Sequence, residues 1–493
     1  MKSLKEQVKE LKRKRREEEE ARISQPEKKA AVSSKKKPPA KHSSKPLYVS
    51  VGIDFGTTYT KVAWKDIATD AAGFVDFPTT DATTPFLDSQ VRIDESGRCY
   101  TPLDKGFAKA RRAERFLKMR IAGSRIYETE PSGTKQIAAS VEALSAFYLG
   151  RVIQYSCEHF RNSEAERVAG RTVNWLPSLG IPTRHYDSPL RERFERILAA
   201  AWKMSSMSFS GPSAEEIQHE YESIDGARAA AKLPVFTYPE IGAAVLSFLV
   251  SPEAQPGVYI YFDVGGGTLD GVSFRYRNRG GDRSVEYYSA VVEELGVEAV
   301  AERLRRLFTV PDIALFREAL IGGREGIREP LGYKEVKPDV QRAVAEVVAG
   351  GRLRNKSQDW RVSRVDDGLY YQWFPEYLRD DKVQKLPVFV GGGGWQSKHH
   401  QSWIRNTYGD FKHHNAGIPP YELTALPVPP KLQQDATHSS QYNRLAVAYG
   451  LTAAPATSVK TIGLPSHATV EKDVREAHYD FDAIATEIYG EPL

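Results

Sequence analysis

The chain contains 493 residues with a formal net charge of +5, and 41% of them are hydrophobic and 10% aromatic, which is enough for large cores in about three ordinary domains. No stretch approaches the roughly 18 apolar residues of a membrane-spanning helix, and no apolar signal segment follows the charged N-terminus, which argues against a transmembrane segment and against secretion. The two cysteines, Cys99 and Cys157, form no metal-type pair and no disulfide framework, so we expect a cytoplasmic protein.

The positive charge lies in the first 46 residues, which hold 16 Lys or Arg and 7 Glu, whereas the remainder holds 53 basic and 57 acidic residues. Leu4, Val8 and Leu11 recur at helical spacing and predict a short, mostly polar helix, and a disordered segment is predicted at 24–46. This arm suits docking on a protein partner. Nucleic acid or an anionic surface is a weaker expectation because no aromatic residue precedes Tyr48, and a solubilising extension is the alternative.

A strand followed by a tight turn occurs twice in similar form, at Val51–Thr58 and at Tyr261–Thr268. Apolar residues precede and follow each turn, which predicts two strands joined by a hairpin in each copy. A single turn of this kind is usually only a turn. Because two copies lie roughly 200 positions apart, the repeat predicts two similar lobes with a site in the cleft between them.

The two turns carry residues suited to phosphate and metal. Glycine and threonine leave the backbone N–H groups of a turn open to phosphate oxygens, since no bulky side chain blocks their approach. Asp54 and Asp263 stand at the strand ends beside the turns, where a bare phosphate would repel them. A hydrated cation, most often Mg²⁺, is the natural bridge between such carboxylates and phosphate.

The rest of the chain alternates strand-like and helix-like stretches, which is typical of an α/β protein. Helices are predicted around 141–152, 190–201, 295–307 and 340–348, and a buried strand around 174–182. The stretch 352–385 is rich in Trp, Tyr and Asp and receives no assignment.

Four motifs in this order resemble the actin-like ATPase superfamily, and most of all the nucleotide-binding domain of the heat shock protein 70 (DnaK-type) chaperones. Ile53–Thr60 is similar to the first phosphate loop of that family and Phe262–Asp270 to its second. Val388–Gly393 resembles the strand and turn that line the adenosine, and Leu445–Leu451 resembles the second connecting helix. The resemblance implies an α/β protein with two ribonuclease-H-like lobes around a nucleotide cleft.

The resemblance also implies a division of the chain. The expected parts are the arm at 1–46, lobe I at 47–235, lobe II at 236–442, a connecting helix at 443–455 that returns to lobe I, and a tail at 456–493.

The implied ligands are ATP or ADP with Mg²⁺. The residues expected to bind the nucleotide are Gly56, Thr57, Thr58, Tyr59, Gly265, Gly266, Gly267, Thr268, Gly391, Gly392 and Gly393, the metal would be held by Asp54 and Asp263, and the catalytic residues would be Asp263, Lys118, Thr268 and Glu240. Lys118 would offset charge on the γ-phosphate, although a solvated lysine on a basic helix is the alternative. Asp263 would orient or deprotonate the attacking water, and Asp270 would support the loop.

The chain departs from the family at the first connecting helix. The family usually places a Glu just before a Pro, whereas here Tyr238 precedes Pro239 and Glu240 follows it. Either Glu240 substitutes for that carboxylate or the carboxylate is missing, in which case hydrolysis would be slow.

The resemblance favours an ATPase whose lobes move with the nucleotide and pass that movement to a partner. About 39 residues follow Ala454, too few for the peptide-binding domain of the family, so we expect that domain to be lacking. An actin-like filament or scaffold protein and a small-molecule kinase of the same fold are the alternatives, because fold alone does not decide function.

Overall fold

The computed structural model describes most of the chain between residues 45 and 462. The described residues are 45–79, 82–123, 138–186, 188–207, 211–224, 230–249, 251, 254–309, 313–321, 333–358, 378–379, 382–383, 386–412, 421–456 and 459–462. The helix and the disordered segment predicted for the arm at 1–46 lie outside them except at residues 45 and 46, as does most of the tail at 456–493.

The strands are β1 Leu47–Phe55, β2 Tyr59–Asp66, β3 Ala72–Phe74, β4 Phe77–Pro78, β5 Thr83–Thr84, β6 Leu87–Asp88, β7 Val91–Ile93, β8 Cys99–Tyr100, β9 Arg112–Glu114, β10 Val173–Ile181, β11 Phe236–Pro239, β12 Gly257–Val264, β13 Leu269–Arg279, β14 Asp282–Glu293, β15 Leu378–Arg379, β16 Lys382–Val383, β17 Leu386–Gly391, β18 Tyr421–Thr424 and β19 Lys460–Ile462. The α-helices are α1 Leu117–Ile121, α2 Val141–Ser163, α3 Ala165–Val168, α4 Leu190–Met204, α5 Ala214–Glu222, α6 Glu240–Leu249, α7 Val297–Phe308, α8 Ala314–Ile321, α9 Tyr333–Gln358, α10 Lys398–Lys412, α11 Ala436–Ser439 and α12 Tyr442–Leu451. None of the helices in the described part of the chain is both long and apolar enough to span a bilayer.

Two large mixed sheets repeat one strand order, which places the protein in the α/β class. In the first sheet β3, β2 and β1 are antiparallel neighbours, and β10 and β11 continue the sheet in parallel with β1. In the second sheet β14, β13 and β12 are antiparallel neighbours, and β17 and β18 continue it in parallel with β12. Strands β6 and β19 add to the first and second sheets respectively.

The strands β1 and β12 hold corresponding central positions, and each leads into one of the two repeated turns. Each is hydrogen-bonded on both sides, β1 between β2 and β10 and β12 between β13 and β17. Almost every residue of both strands is buried, since covered sheets require apolar residues on both faces. The repeated sequence thus delivers two turns at the carboxyl ends of two equivalent strands.

Two helices, α6 and α12, pack against each other between the sheets. A Cβ on Gly450 of α12 would lie 1.7 Å from the backbone oxygen of Ala243 of α6, so only glycine permits this approach. Helix α12 lies on the first sheet, where a Cβ on Gly52 of β1 would lie 2.2 Å from the backbone oxygen of Ala448. Helix α6 reaches the second sheet, where a Cβ on Gly242 would lie 2.6 Å from the hydroxyl of Tyr287. One apolar core therefore joins both sheets through the two helices.

The strand β11 and the stretch 352–385 add to what the sequence predicted. The strand β11 at Phe236–Pro239 pairs with β10 of the first sheet, although 236 was expected to begin lobe II. Pro239 ends this short strand, since proline has no N–H to donate to a neighbouring strand. In the unassigned stretch 352–385, α9 continues to Gln358 and the short β15 and β16 pair with each other, and the remaining residues lie outside the described part.

A histidine links the segment after β3 to α11. Nδ1 of His438 bonds to the Asp435 carboxylate, and Nε2 lies 3.1 Å from Oδ1 of Asp76. The hydrogen bond to Asp76, followed by the one to Asp435, raises the pKa of His438, while burial works against this rise. The charged imidazole therefore favours the folded state.

We expect the stability of the protein to fall as the pH rises through the raised pKa of His438. Because the folded pKa lies above the ordinary value of 6.5, this contribution is fully present below 6.5 and is lost above the folded pKa. Denaturant unfolding at several pH values measures the effect. His438→Gln should remove this part of the pH dependence, whereas His159→Gln, whose parent has a lowered pKa, should retain it.

Candidate functional site

The two repeated turns lie against each other. A Cβ on Gly266 would lie 2.4 Å from Oγ1 of Thr58, and a Cβ on Gly267 would lie 2.8 Å from Oγ1 of Thr57. Side chains at these two glycines would therefore separate the turns. The structure brings together Gly56, Thr57 and Thr58 of the first turn and Gly265, Gly266, Gly267 and Thr268 of the second.

The second turn is fixed from behind by α7. The backbone oxygens of Gly265 and Gly266 accept hydrogen bonds from the N–H groups of Val297 and Glu298, at 3.1 and 2.8 Å. The N–H of a trans peptide points opposite to its carbonyl, so the N–H groups of Gly266 and Gly267 point away from α7. Across from them, Oγ1 of Thr58 is buried and has no hydrogen-bond partner in the described structure. These polar groups form a cradle suited to an anionic ligand.

The carboxylates of Asp54 and Asp263 lie close enough for the charge of one to affect the pKa of the other. Burial, followed by the nearby negative charge of Asp54, raises the pKa of the Asp263 carboxyl to about 7, while the charge of Lys61 works against this rise. Asp54 is bound by a lysine, with Nζ of Lys61 at 2.8 Å from Oδ2. The two residues are direct cross-strand partners on β2 and β1.

A second ion pair lies beside the first. Nζ of Lys118, on the short α1, contacts both carboxylate oxygens of Glu240 at 2.5 and 2.7 Å. Burial lowers the pKa of Lys118, but the carboxylates of Glu240, Asp54 and Asp270 together raise it above its usual value. Burial also raises the pKa of Glu240, an effect that Lys118 partly offsets. Glu240 therefore reaches the candidate site from the position after Pro239.

Asp270 on β13 adds a further carboxyl group to the site, and it is the cross-strand partner of Asp263. Burial, followed by the charge of Glu240, raises the pKa of Asp270 well above its usual value. Its Oδ1 is buried and lacks a hydrogen-bond partner in the described part of the chain. These features favour the protonated form of Asp270, which lies beside Asp263 on the neighbouring strand.

The third glycine turn lies beside Asp263 at the end of β17. Gly391 ends the strand, and Gly392 has φ of 84°, a conformation that favours glycine. A Cβ on Gly392 would lie 2.0 Å from Oδ1 of Asp263, and its N–H donates to the backbone oxygen of Asn443 at 2.9 Å. Gly393 begins a short 3₁₀ helix, and a Cβ on Gly393 would lie 3.7 Å from Nε of Arg444.

Tyr59 lies at the start of β2 and keeps 38% of its surface exposed. Its ring lies 6.2 Å from that of Phe86, and the guanidinium of Arg444 stacks over Phe86 at 3.6 Å. Burial lowers the pKa of Arg444. Aromatic and guanidinium planes here offer a surface for a flat ligand next to the third glycine turn.

The sequence interpretation did not identify Lys61 or Arg444. The signal for Lys61 is a lysine close to the first turn, between Thr60 and Val62. Its position opposite Asp54 depends on the register of the hairpin, and the turn length is the only guide to that register in the sequence.

The residues fit a nucleotide with its cation. Their donor groups are an unpartnered hydroxyl and backbone N–H groups, and the two lysines add positive charge. Asp54 and Asp263 are suited to holding Mg²⁺ through water. In the described residues no group of three or more His, Cys, Asp or Glu side chains forms a metal site.

Comparisons of the chain with protein-family models and with curated proteins find no match.

Proposed function

We propose that the chain binds ATP between its two sheets and couples binding and hydrolysis to a movement that a partner reads. The observation that carries this proposal is the contact between the two glycine–threonine turns, where Gly266 and Gly267 abut Thr58 and Thr57. The strand order repeated in the two sheets supports an actin-like ATPase fold of two ribonuclease-H-like lobes, most like the nucleotide-binding domain of heat shock protein 70 chaperones.

In the proposed mechanism the turns bind and orient the phosphates. Thr58 donates its hydroxyl hydrogen to a phosphate oxygen, and the N–H groups of Gly266 and Gly267 donate from the other side. Thr268 lies in the same turn and would steady the transferred group. When bound, Mg²⁺ would neutralise phosphate charge, and Asp54 and Asp263 would hold it through water.

Two groups would take part in the hydrolysis step. Asp263 accepts the proton of the water through its carboxylate, because a pKa of about 7 matches a base that works near neutral pH. Lys118 offsets the charge that develops on the γ-phosphate and is itself held by both oxygens of Glu240. Glu240 is thus a positioning residue for Lys118.

The proposed movement is transmitted by α6 and α12. Glu240 is the first residue of α6, so a change at the phosphates reaches this helix directly. Asn443 of α12 accepts a hydrogen bond from Gly392 in the third turn. Because the two helices contact each other at Gly450 and Ala243, a shift of one requires a shift of the other.

The proposal is tested by ATP titration calorimetry on a matched pair of variants, Thr58→Val and Thr60→Val. Oγ1 of Thr58 has no partner in the described structure, so Thr58→Val should weaken ATP binding about tenfold without lowering stability. Oγ1 of Thr60 bonds to Ser89 at 2.9 Å, so Thr60→Val should lower stability by about 1 kcal/mol and leave ATP binding unchanged.

The opposite pattern, or no heat of ATP binding by the parent protein, would contradict the proposal. ATP-dependent sedimentation would instead favour a filament protein, and ATP consumption stimulated by a sugar or an acid would favour a small-molecule kinase.

A further inference from the structure

The candidate site contains a cation of its own at the first turn. Nζ of Lys61 lies 2.8 Å from Oδ2 of Asp54, and the side chains are only 14% and 9% exposed. A Cβ on Gly56 would lie 3.2 Å from the same Nζ, which places the ammonium group directly beside the turn. Lys61 therefore lies where phosphate is expected to bind.

The hairpin fixes this ammonium group in place. Asp54 and Lys61 are opposite each other in the β1–β2 register, and the strands pair continuously from Phe55 with Thr60 to Val49 with Asp66. The cation is thus prepositioned, and little of its side-chain freedom remains to be lost when a ligand binds.

Lys61 also has N–H donors beyond the one that binds Asp54. The bond to Asp54 takes one of three ammonium N–H groups, so two can be directed at phosphate oxygens. Lys118 differs because it is already shared between both oxygens of Glu240. Without Lys61, the carboxylates of Asp54 and Asp263 would repel a triphosphate unless a metal ion accompanied it.

We propose that Lys61 is a built-in counter-ion that allows this site to bind nucleoside triphosphate without a divalent metal. The inference rests on the proposed function, since it concerns the same site. On this proposal Lys61 determines which forms of the nucleotide bind, because it allows the free anion to bind as well as the metal complex.

The test is calorimetric titration of the full chain with ATP, once in excess Mg²⁺ and once in EDTA. The parent protein should bind ATP in EDTA with an affinity within about tenfold of that in Mg²⁺. Lys61→Met should lose about 30-fold or more in EDTA, since a charge-assisted contact to phosphate is removed, but much less in Mg²⁺.

Lys65→Met is the matched control. Lys65 lies on the same strand and is also paired with a carboxylate, with Nζ 3.1 Å from Oδ1 of Asp70, but it is remote from the turn. Its loss should leave the affinity for ATP unchanged under both conditions. Lys61→Arg keeps the charge and should retain binding in EDTA if Lys61→Met proves too unstable to study.

The outcomes separate the two proposals. Binding by the parent protein in Mg²⁺ that vanishes in EDTA would overturn the role of Lys61 and leave the proposed function standing. Equal losses for Lys61→Met in EDTA and in Mg²⁺ would also overturn it, because the lysine would not then replace the metal. Absence of binding under both conditions would overturn the proposed function together with this inference.

Discussion

Replacing Asp263 by asparagine is expected to lower ATP turnover by about a hundredfold or more, while ATP binding is retained. The amide has nearly the same shape as the carboxylate but cannot accept the proton of the attacking water. Asp54 remains to hold the metal through water, and removing one of two neighbouring negative charges lessens the repulsion of the triphosphate. Steady-state turnover and calorimetric titration of the same preparation separate the two effects.

The pH profile gives a second readout. For the parent protein, kcat/KM should rise with pH through about 7, because Asp263 must lose its proton to act as a base. Asp270→Asn is the control, since Asp270 is its cross-strand partner and its raised pKa favours the neutral form that asparagine imitates. That variant should lose less than about tenfold in turnover. Turnover by Asp263→Asn at the parent rate would contradict the assignment of Asp263 as base.

Replacing Glu240 by alanine should lower the free energy of unfolding by about 3–5 kcal/mol. The substitution leaves the ammonium group of Lys118 buried without the carboxylate that binds it through two contacts, and both side chains are at most 10% exposed. Denaturant unfolding followed by circular dichroism measures the change. Turnover should fall as well, because Lys118 loses the group that positions it.

A double-mutant cycle tests whether the pair itself causes this loss. The cycle compares the parent protein and Glu240→Ala with the single variant Lys118→Met and the double variant Glu240→Ala, Lys118→Met. The double variant should be more stable than Glu240→Ala alone, since no unpaired buried charge remains. Strictly additive losses would show that Lys118 and Glu240 are not coupled, and the ion pair would then have no special role.

The duplicated turn was the strongest guide from sequence to fold. Because one strand–turn–strand unit recurs, the sequence predicted two similar halves, and the two sheets repeat one strand order. Helical periodicity likewise located the predicted helices near 190–201 and 295–307, which overlap α4 and α7. Both signals are local, which is why a single sequence carries them.

Features that depend on long-range pairing were harder to predict. The bond between Lys118 and Glu240 joins residues 122 positions apart, and sequence alone left two readings of each residue. The role of Lys61 was not predicted because its pairing with Asp54 depends on the strand register. The pairing of Phe236–Pro239 with β10 likewise depends on tertiary structure, since a four-residue strand does not specify which strand it will pair with.

The helix crossing at Gly450 and Ala243 makes each half of the chain dependent on the other. Helix α6 follows β11 of the first sheet yet reaches Tyr287 of the second, and α12 follows β18 of the second sheet yet covers Gly52 of the first. A fragment cut before residue 240 would present a bare hydrophobic surface to solvent. The duplicated halves thus form an obligate unit, and separately expressed fragments should be recovered in soluble form only when they are produced together.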